Sequence, residues 1–272
     1  MRNAFLRIAA VSGLVGALAL SNNFGQIAAL SIEERIERLE SAEIMHSEKD
    51  KYAVILNGDP SELHFYNCST SHSSLENMGF CKDNIFTLSE KPDSYFEEQD
   101  FSAFSGTKEN FQRVSDLLSQ ITDDNDIVLF YLTGHGDRMG GRSALVLKDD
   151  YLFDIELKEC IDKIDSRITI VVADQCYSGG FADELKNSSK SVIAISDTDA
   201  VYQTDCKVFS DSFWKAFSGT SADSNSDSKV SLREAYDFAI EKHSVFLRPF
   251  TGLAHGSYYF SGDIKDIFLG EN

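Results

Sequence analysis

Two short peptides hold the side chains best suited to catalysis, a histidine and a cysteine that each follow a strand-like apolar run. His135 lies in the peptide Thr-Gly-His-Gly directly after residues 126–132, and Cys176 lies in Asp-Gln-Cys-Tyr-Ser-Gly-Gly directly after residues 167–173. The neighbouring glycines permit sharp turns and close approach of another molecule. A thiol at a turn is accessible, and a nearby imidazole can lower its pKa and transfer protons. Together the two residues predict acyl transfer through a thiolate.

The surrounding elements predict that these peptides meet. Apolar strands alternate with helices from residue 51 onward, which indicates an α/β fold with a mostly parallel sheet covered on both faces. We predict strands over 52–57, 84–88, 126–132, 167–173 and 191–195, helices over 62–79, 107–121 and 154–164, and a hairpin over 143–152. Functional residues gather beyond the carboxyl ends of such strands. If strands 126–132 and 167–173 are neighbours, the N–H groups of Gly136 and Cys176 are placed to stabilise an oxyanion.

A lone Gly-His-Gly or a lone loop cysteine is often a turn without a catalytic role, so the combination is what favours a catalytic pair. Thr-Gly-His-Gly after one strand, followed by Asp-x-Cys-x-x-Gly after another, resembles the legumain/caspase group (clan CD) of cysteine peptidases. The resemblance covers about residues 50–262 and implies a caspase-like three-layer sandwich with a His135–Cys176 dyad. Residues 194–197 and 209–214 are more similar to bacterial legumain-type (asparaginyl endopeptidase) sequences than to caspases. In the group an obligatory third catalytic residue is mostly absent.

Substrate preference follows from the same resemblance. In similar peptidases the residue two positions before the nucleophile lines the primary specificity pocket, and here that residue is Asp174. A carboxylate there would bind an Arg or Lys of the substrate. Asp59, after the first strand, and Ser196 and Asp197, after the fifth, are candidates to share the pocket. An Asn preference is the alternative, and Asp174 could instead cap a helix or hydrogen-bond to the active-site turn.

The predicted activity is therefore that of a cysteine endopeptidase acting on peptide or protein substrates. Cys176 would form a thioester acyl-enzyme, with His135 as general acid and base, and the chemistry requires no cofactor. Two alternatives stay open: a peptide ligase that resolves the acyl-enzyme with an amine, and a catalytically silent caspase-like module that binds partners or serves as a scaffold.

A possible structural calcium site lies in the C-terminal part of the chain. Six residues have the spacing of EF-hand positions 1, 3, 5, 7, 9 and 12: Asp223, Asn225, Asp227, Lys229 (through its carbonyl), Ser231 and Glu234. Ser228 replaces the glycine that makes the sharp turn, which should weaken binding. The alternative is a solvated acidic loop whose Ser231 caps the following helix.

The composition of the chain argues against nucleic-acid binding. A formal net charge of −19 and a hydrophobic content of 42% indicate a packed, acidic domain that repels nucleic acid. Five cysteines form an odd set, so two disulfides would leave one thiol for chemistry.

The N-terminal segment predicts export to the periplasm or the medium. Residues 1–22 contain two arginines and the uncharged run 8–20, which is short for a hydrocarbon core of roughly 30 Å and ends in small residues. A cleaved signal peptide is the prediction, and an uncleaved anchor, with membrane association, is the alternative. Residues 23–50 are predicted as a helical linker, with a helix over 31–45 that starts with a capping box, and residues 51–272 as the peptidase domain.

Overall fold

The structure is a computed structural model that describes residues 31–41, 49–90, 103–204, 207–247, 256–261, 263–264 and 266–270. The predicted signal peptide (1–22) and most of the predicted linker lie outside these ranges, so export stays a prediction. Within the described ranges, none of the helices has the length and apolarity needed to cross a bilayer.

A seven-stranded sheet forms the middle layer. In chain order the strands are β1 (Lys51–Asn57), β2 (Ile85–Ser89), β3 (Ala103–Ser105), β4 (Ile127–Thr133), β8 (Ile168–Ala173), β9 (Val192–Ser196) and β10 (Ser257–Phe260). Their order across the sheet is β10-β9-β8-β4-β1-β2-β3, and only β10 is antiparallel to its neighbour. The central strands are buried along their whole length, as their continuous apolar runs predict.

Helices cover both faces of this sheet. The helices within the described ranges are α1 (Ile32–Glu40), α2 (Glu62–Asn77), α3 (Lys108–Ile121), α4 (Asp154–Ile161), α5 (Gly179–Leu185), α6 (Lys207–Ala216) and α7 (Leu232–Leu247). Apolar residues of α1, α3, α4 and α5 form one core with the sheet, and those of α2, α6 and α7 form a second core on the opposite face. The predicted α/β three-layer arrangement is confirmed.

A second, three-stranded sheet lies beyond β4, where a single hairpin was predicted. It consists of β5 (Gly136–Met139), β6 (Arg142–Val146) and β7 (Tyr151–Phe153). The turn between β5 and β6 has positive φ angles at Gly140 and Gly141, +60° and +86°. Gly-Gly is a typical two-residue hairpin turn, so this signal was present in the sequence.

The helix predicted at residues 31–45 packs on the domain. Its capping box is present, with Ser31 and Glu34 hydrogen-bonded to each other's backbone N–H groups. Arg35 is buried, donates to the carbonyl groups of Lys82 and Asp83, and stacks on the ring of Phe86. The described helix ends at Glu40, and residues 42–45 lie outside the described ranges.

Two disulfides, one arrangement that five cysteines allow, are not found among the described residues. Cys68, Cys81, Cys160 and Cys176 are all free, and Cys206 lies outside the described residues. Because Cys68 and Cys160 are buried in the two cores, they pack as small apolar side chains.

Candidate active site

The register of β4 and β8 places the two catalytic candidates at one level of the sheet edge. The strands are adjacent and parallel, and Leu132 pairs with Ala173. His135 and Cys176 each lie three residues beyond that pair. The sequence predicts that His135 and Cys176 lie close together only if β4 and β8 are neighbours, and in the sheet order they are neighbours.

Gly136 lies against the backbone of Cys176. A Cβ added to Gly136 would lie 1.9 Å from the carbonyl oxygen of Cys176 and 2.9 Å from its nitrogen, so no other residue fits without a shift. Burial raises the pKa of the Cys176 thiol, while hydrogen bonds from the backbone N–H groups of Thr204, Cys176 and Gly136 oppose this effect. The predicted oxyanion donors, the N–H groups of Gly136 and Cys176, are therefore close to the sulfur.

The turn that presents the thiol is conformationally unusual. Tyr177 has a φ of +62°, a left-handed conformation that costs energy for a residue with a Cβ. Its N–H donates to the carbonyl of Tyr202 at 2.9 Å, and the turn leads directly into α5. Cys176 itself is partly exposed.

His135 has a carboxylate partner. Its side chain is 75% exposed, and its Nε2 lies 3.1 Å from Oδ2 of Asp59. The other carboxylate oxygen of Asp59 accepts a hydrogen bond from the N–H of Ser61 at 2.8 Å. Burial raises the pKa of Asp59, but hydrogen bonds from Ser61 and the charges of His64 and His135 outweigh burial and lower it. Asp59, predicted in the specificity pocket, thus lies beside the imidazole.

A second histidine, His64, lies behind this pair and was not singled out from the sequence. It is buried on α2, its Nδ1 lies 2.8 Å from the hydroxyl of Thr133, and its ring centroid lies 6.3 Å from that of His135. Burial lowers the pKa of His64 to about 4, so the imidazole is neutral at pH 7. A polar residue within a helix gives no sequence signal for this position.

Asp174 is completely buried beside the nucleophile turn. Its Oδ2 accepts hydrogen bonds from Tyr131 and Ser210, and lies 3.4 Å from the amide nitrogen of Asn67. Burial raises the pKa of Asp174 to about 7, although the hydroxyl donors favour its charged form. Among the described residues, Oδ1 of Asp174 and Oδ1 of Asn67 accept no hydrogen bond.

Comparison with known proteins gives the family. The family model described as "Caspase domain" matches residues 67–267, well over half of the 272-residue chain. The chain belongs to the caspase-domain family. This membership agrees with the prediction of a cysteine-type peptidase, which is a hydrolase. The chain is also 28% identical over 125 residues to Metacaspase-4 of Arabidopsis thaliana, an alignment that covers 41% of this chain and 28% of the relative. This caspase-domain chain thus matches only about a quarter of that relative's length, and its predicted closeness to bacterial legumain-type sequences stays a prediction.

Two of the predicted pocket residues face away from solvent in this caspase domain. Ser196 is fully buried, and its hydroxyl accepts a hydrogen bond from the N–H of Ser257 on β10. Asp197 is fully buried, and its Oδ1 lies 2.6 Å from Nδ1 of His243. Like Asp174, these two side chains are closed to solvent and held by internal partners, and their place in the substrate pocket stays a prediction.

The predicted calcium loop has ordered internal hydrogen bonds. Ser228, at the glycine position of the EF-hand pattern, has a φ of +70° and donates its N–H to Asp223. Glu234 accepts from the N–H groups of Ser224 and Ser231. Ser231 also accepts from the N–H of Glu234, so it does cap α7. Within the described ranges no group of three or more His, Cys, Asp or Glu side chains is arranged to hold a metal ion. Calcium binding by Asp223, Asn225, Asp227, Lys229, Ser231 and Glu234 stays a prediction.

Proposed function

We propose that this caspase-domain chain is an endopeptidase that hydrolyses peptide bonds through a thioester on Cys176, with His135 as general acid and base. The contact of Gly136 with Cys176 carries the proposal, because it brings the histidine peptide and the sulfur to one point with two backbone donors beside them. A thiol in such a place can attack an acyl carbon whose oxygen those donors then stabilise.

The proton transfers follow from the contacts of His135. Since Nε2 faces Asp59, Nδ1 is the nitrogen available to take the thiol proton as the Cys176 sulfur attacks the substrate carbonyl carbon. The N–H groups of Gly136 and Cys176 receive the negative oxygen of the tetrahedral intermediate. The C–N bond then breaks as His135 returns the proton to the leaving amine. Water, deprotonated by His135, finally cleaves the thioester and restores the thiol.

We also propose that the residue before the cleaved bond is Arg or Lys. Oδ1 of Asp174 and Oδ1 of Asn67 lack donors among the described residues, and a guanidinium or ammonium group would supply them. Both oxygens are closed to solvent, so the proposal includes a movement that opens the pocket when the substrate binds. An Asn side chain is the alternative, because its amide offers one donor group without a charge.

The test is turnover of fluorogenic peptides that carry Arg, Lys, Asn or Asp before the reporter, by the wild type and by Cys176→Ala. We expect release after Arg and Lys that disappears in the variant. Release that persists in Cys176→Ala would contradict the role of the thiol. No release by either protein, with no labelling of Cys176 by a thiol-reactive peptide, would favour the silent binding module instead.

A further inference from the structure

A buried imidazole–carboxylate pair lies close to the nucleophile. Asp197 follows β9 and His243 lies on α7, and their side chains are 0% and 1% exposed. Nδ1 of His243 lies 2.6 Å from Oδ1 of Asp197. A buried carboxylate is costly unless donors satisfy it, so donors to Asp197 must stay close to it in the folded chain. The mechanism above uses neither residue.

Thr204 connects this pair to the nucleophile. Its hydroxyl donates to Oδ2 of Asp197 at 2.5 Å and lies 3.5 Å from Nε2 of His243. Its backbone N–H donates to the sulfur of Cys176 at 3.4 Å, and its carbonyl oxygen lies 3.4 Å from the same sulfur. The side chain of Thr204 therefore binds the buried pair while its backbone contacts the thiol.

The loop that contains Thr204 is fixed at other points as well. The N–H of Thr198 donates to the hydroxyl of Ser178 at 3.2 Å, and the carbonyl of Tyr202 accepts from Tyr177 at 2.9 Å. These contacts hold the loop along the nucleophile turn without involving the sulfur. The Thr204 hydroxyl adds a side-chain contact with Asp197, at the residue whose backbone N–H lies on the sulfur.

We propose that Asp197 and His243 are positioning residues for the nucleophile, which act through Thr204 by holding its backbone N–H on the Cys176 sulfur. That N–H favours the thiolate, as a third donor beside those of Gly136 and Cys176. This inference rests on the proposed function, in which Cys176 is the nucleophile. Reactivity of the thiol then depends on a pair of side chains that never contact the substrate.

The test is the pH dependence of Cys176 alkylation by iodoacetamide in the full chain, followed by mass spectrometry of the peptide that contains Cys176. Thr204→Val keeps the shape and the backbone N–H but removes the hydroxyl. We expect its alkylation at pH 7 to be about three- to tenfold slower, with a higher apparent thiol pKa. Thr204→Ser, which keeps the hydroxyl, should match the wild type. His243→Leu should behave like Thr204→Val, whereas His243→Asn, whose amide replaces Nδ1, should retain most of the reactivity.

Thr87→Val is the matched control, because the Thr87 hydroxyl is buried on β2 and has no hydrogen-bond partner among the described residues. Asp197 is not substituted, since its charge itself raises the pKa of the thiol. An unchanged or faster alkylation profile in a folded Thr204→Val protein would overturn the proposal. Alkylation needs no peptide hydrolysis, so a failure of this inference is distinguishable from a failure of the proposed peptidase activity.

Discussion

Nε2 of His135 lies 3.1 Å from Oδ2 of Asp59, which makes a carboxylate at the end of β1 the partner of an imidazole at the end of β4. The two strands are neighbours in the sheet, with Asn57 paired with Thr133. A carboxylate in this position fixes the ring orientation and stabilises the imidazolium that forms during proton transfer. We therefore predict that Asp59 is a positioning residue for His135 in the proposed chemistry.

Replacing this carboxylate should slow catalysis while leaving binding largely intact. For Asp59→Asn we expect kcat to fall by about one to two orders of magnitude, with little change in KM, because the amide cannot stabilise an imidazolium. The effect is smaller than in buried triads, since the His135 side chain is 75% exposed and solvent screens the pair. Steady-state kinetics across pH measure it. Asp165→Asn, an exposed acid paired with Lys190, is the control, and equal kcat values in both variants would exclude the positioning role.

Gly136 should tolerate no side chain. Gly136→Ala places a Cβ 1.9 Å from the Cys176 carbonyl oxygen, so the histidine peptide or the nucleophile turn must shift. We expect kcat/KM to fall at least about a hundredfold, since one displaced oxyanion donor costs that much. Gly219→Ala is the matched control, because an added Cβ there meets no atom within 4 Å. An active Gly136→Ala enzyme would contradict the arrangement of the site.

Asp174 should make stability depend on pH. Burial raises its pKa from 3.8 to about 7 in the folded chain, so the folded state binds more protons than the unfolded state between these values. The free energy of unfolding that this group contributes therefore decreases as pH rises from about 4 to 7 and levels off above. Asp174→Asn has no carboxyl group to titrate, so this pH-dependent loss of stability should disappear. The difference in the free energy of unfolding between wild type and variant should therefore change by roughly 2–4 kcal/mol between about pH 4 and pH 7. Denaturant unfolding at several pH values measures it, and parallel curves for the two proteins would refute the raised pKa.

Asp174 should also control substrate preference. If the pocket binds a basic side chain, kcat/KM for Arg substrates should increase as Asp174 ionises near pH 7 and fall at least tenfold in Asp174→Asn. Asn substrates should show a smaller loss because no charge pair is removed. The measurement is the ratio of kcat/KM for the Arg substrate to kcat/KM for the Asn substrate, compared between the wild type and Asp174→Asn. A ratio that does not change would argue against a basic-specific pocket.

Calcium should stabilise the chain if the EF-hand-like loop binds it. Millimolar Ca²⁺ is then expected to raise the Tm of the wild type by a few degrees, because a ligand bound only to the folded state adds to its stability. Glu234→Gln and Asp223→Asn should lose the shift, while Asp237→Asn, outside the loop, should retain it. A wild-type Tm that does not respond to Ca²⁺ would leave the loop as the capped acidic segment described above.

The sequence by itself determined five strands of the central sheet, the α/β layers and the two peptides of the site, but not the edge strands β3 and β10. Short continuous apolar runs such as 127–132 indicate buried strands, and the glycines around His135 and Cys176 mark turns at their ends. These signals are local, because hydrophobic burial and backbone freedom act on neighbouring residues. The same local reasoning recognised the capping box at Ser31.

Only the tertiary structure decided which side chains meet at the site. Asp59 and His135 are 76 residues apart in the chain, and Asp197 and His243 are 46 apart, so no periodicity connects either pair. The sequence treated Asp59, Asp174 and Asp197 alike as pocket carboxylates. In the folded chain the three carboxylates have different partners and different burial. These depend on the order of the strands and on the helices packed over them, which bring distant segments of the chain into contact.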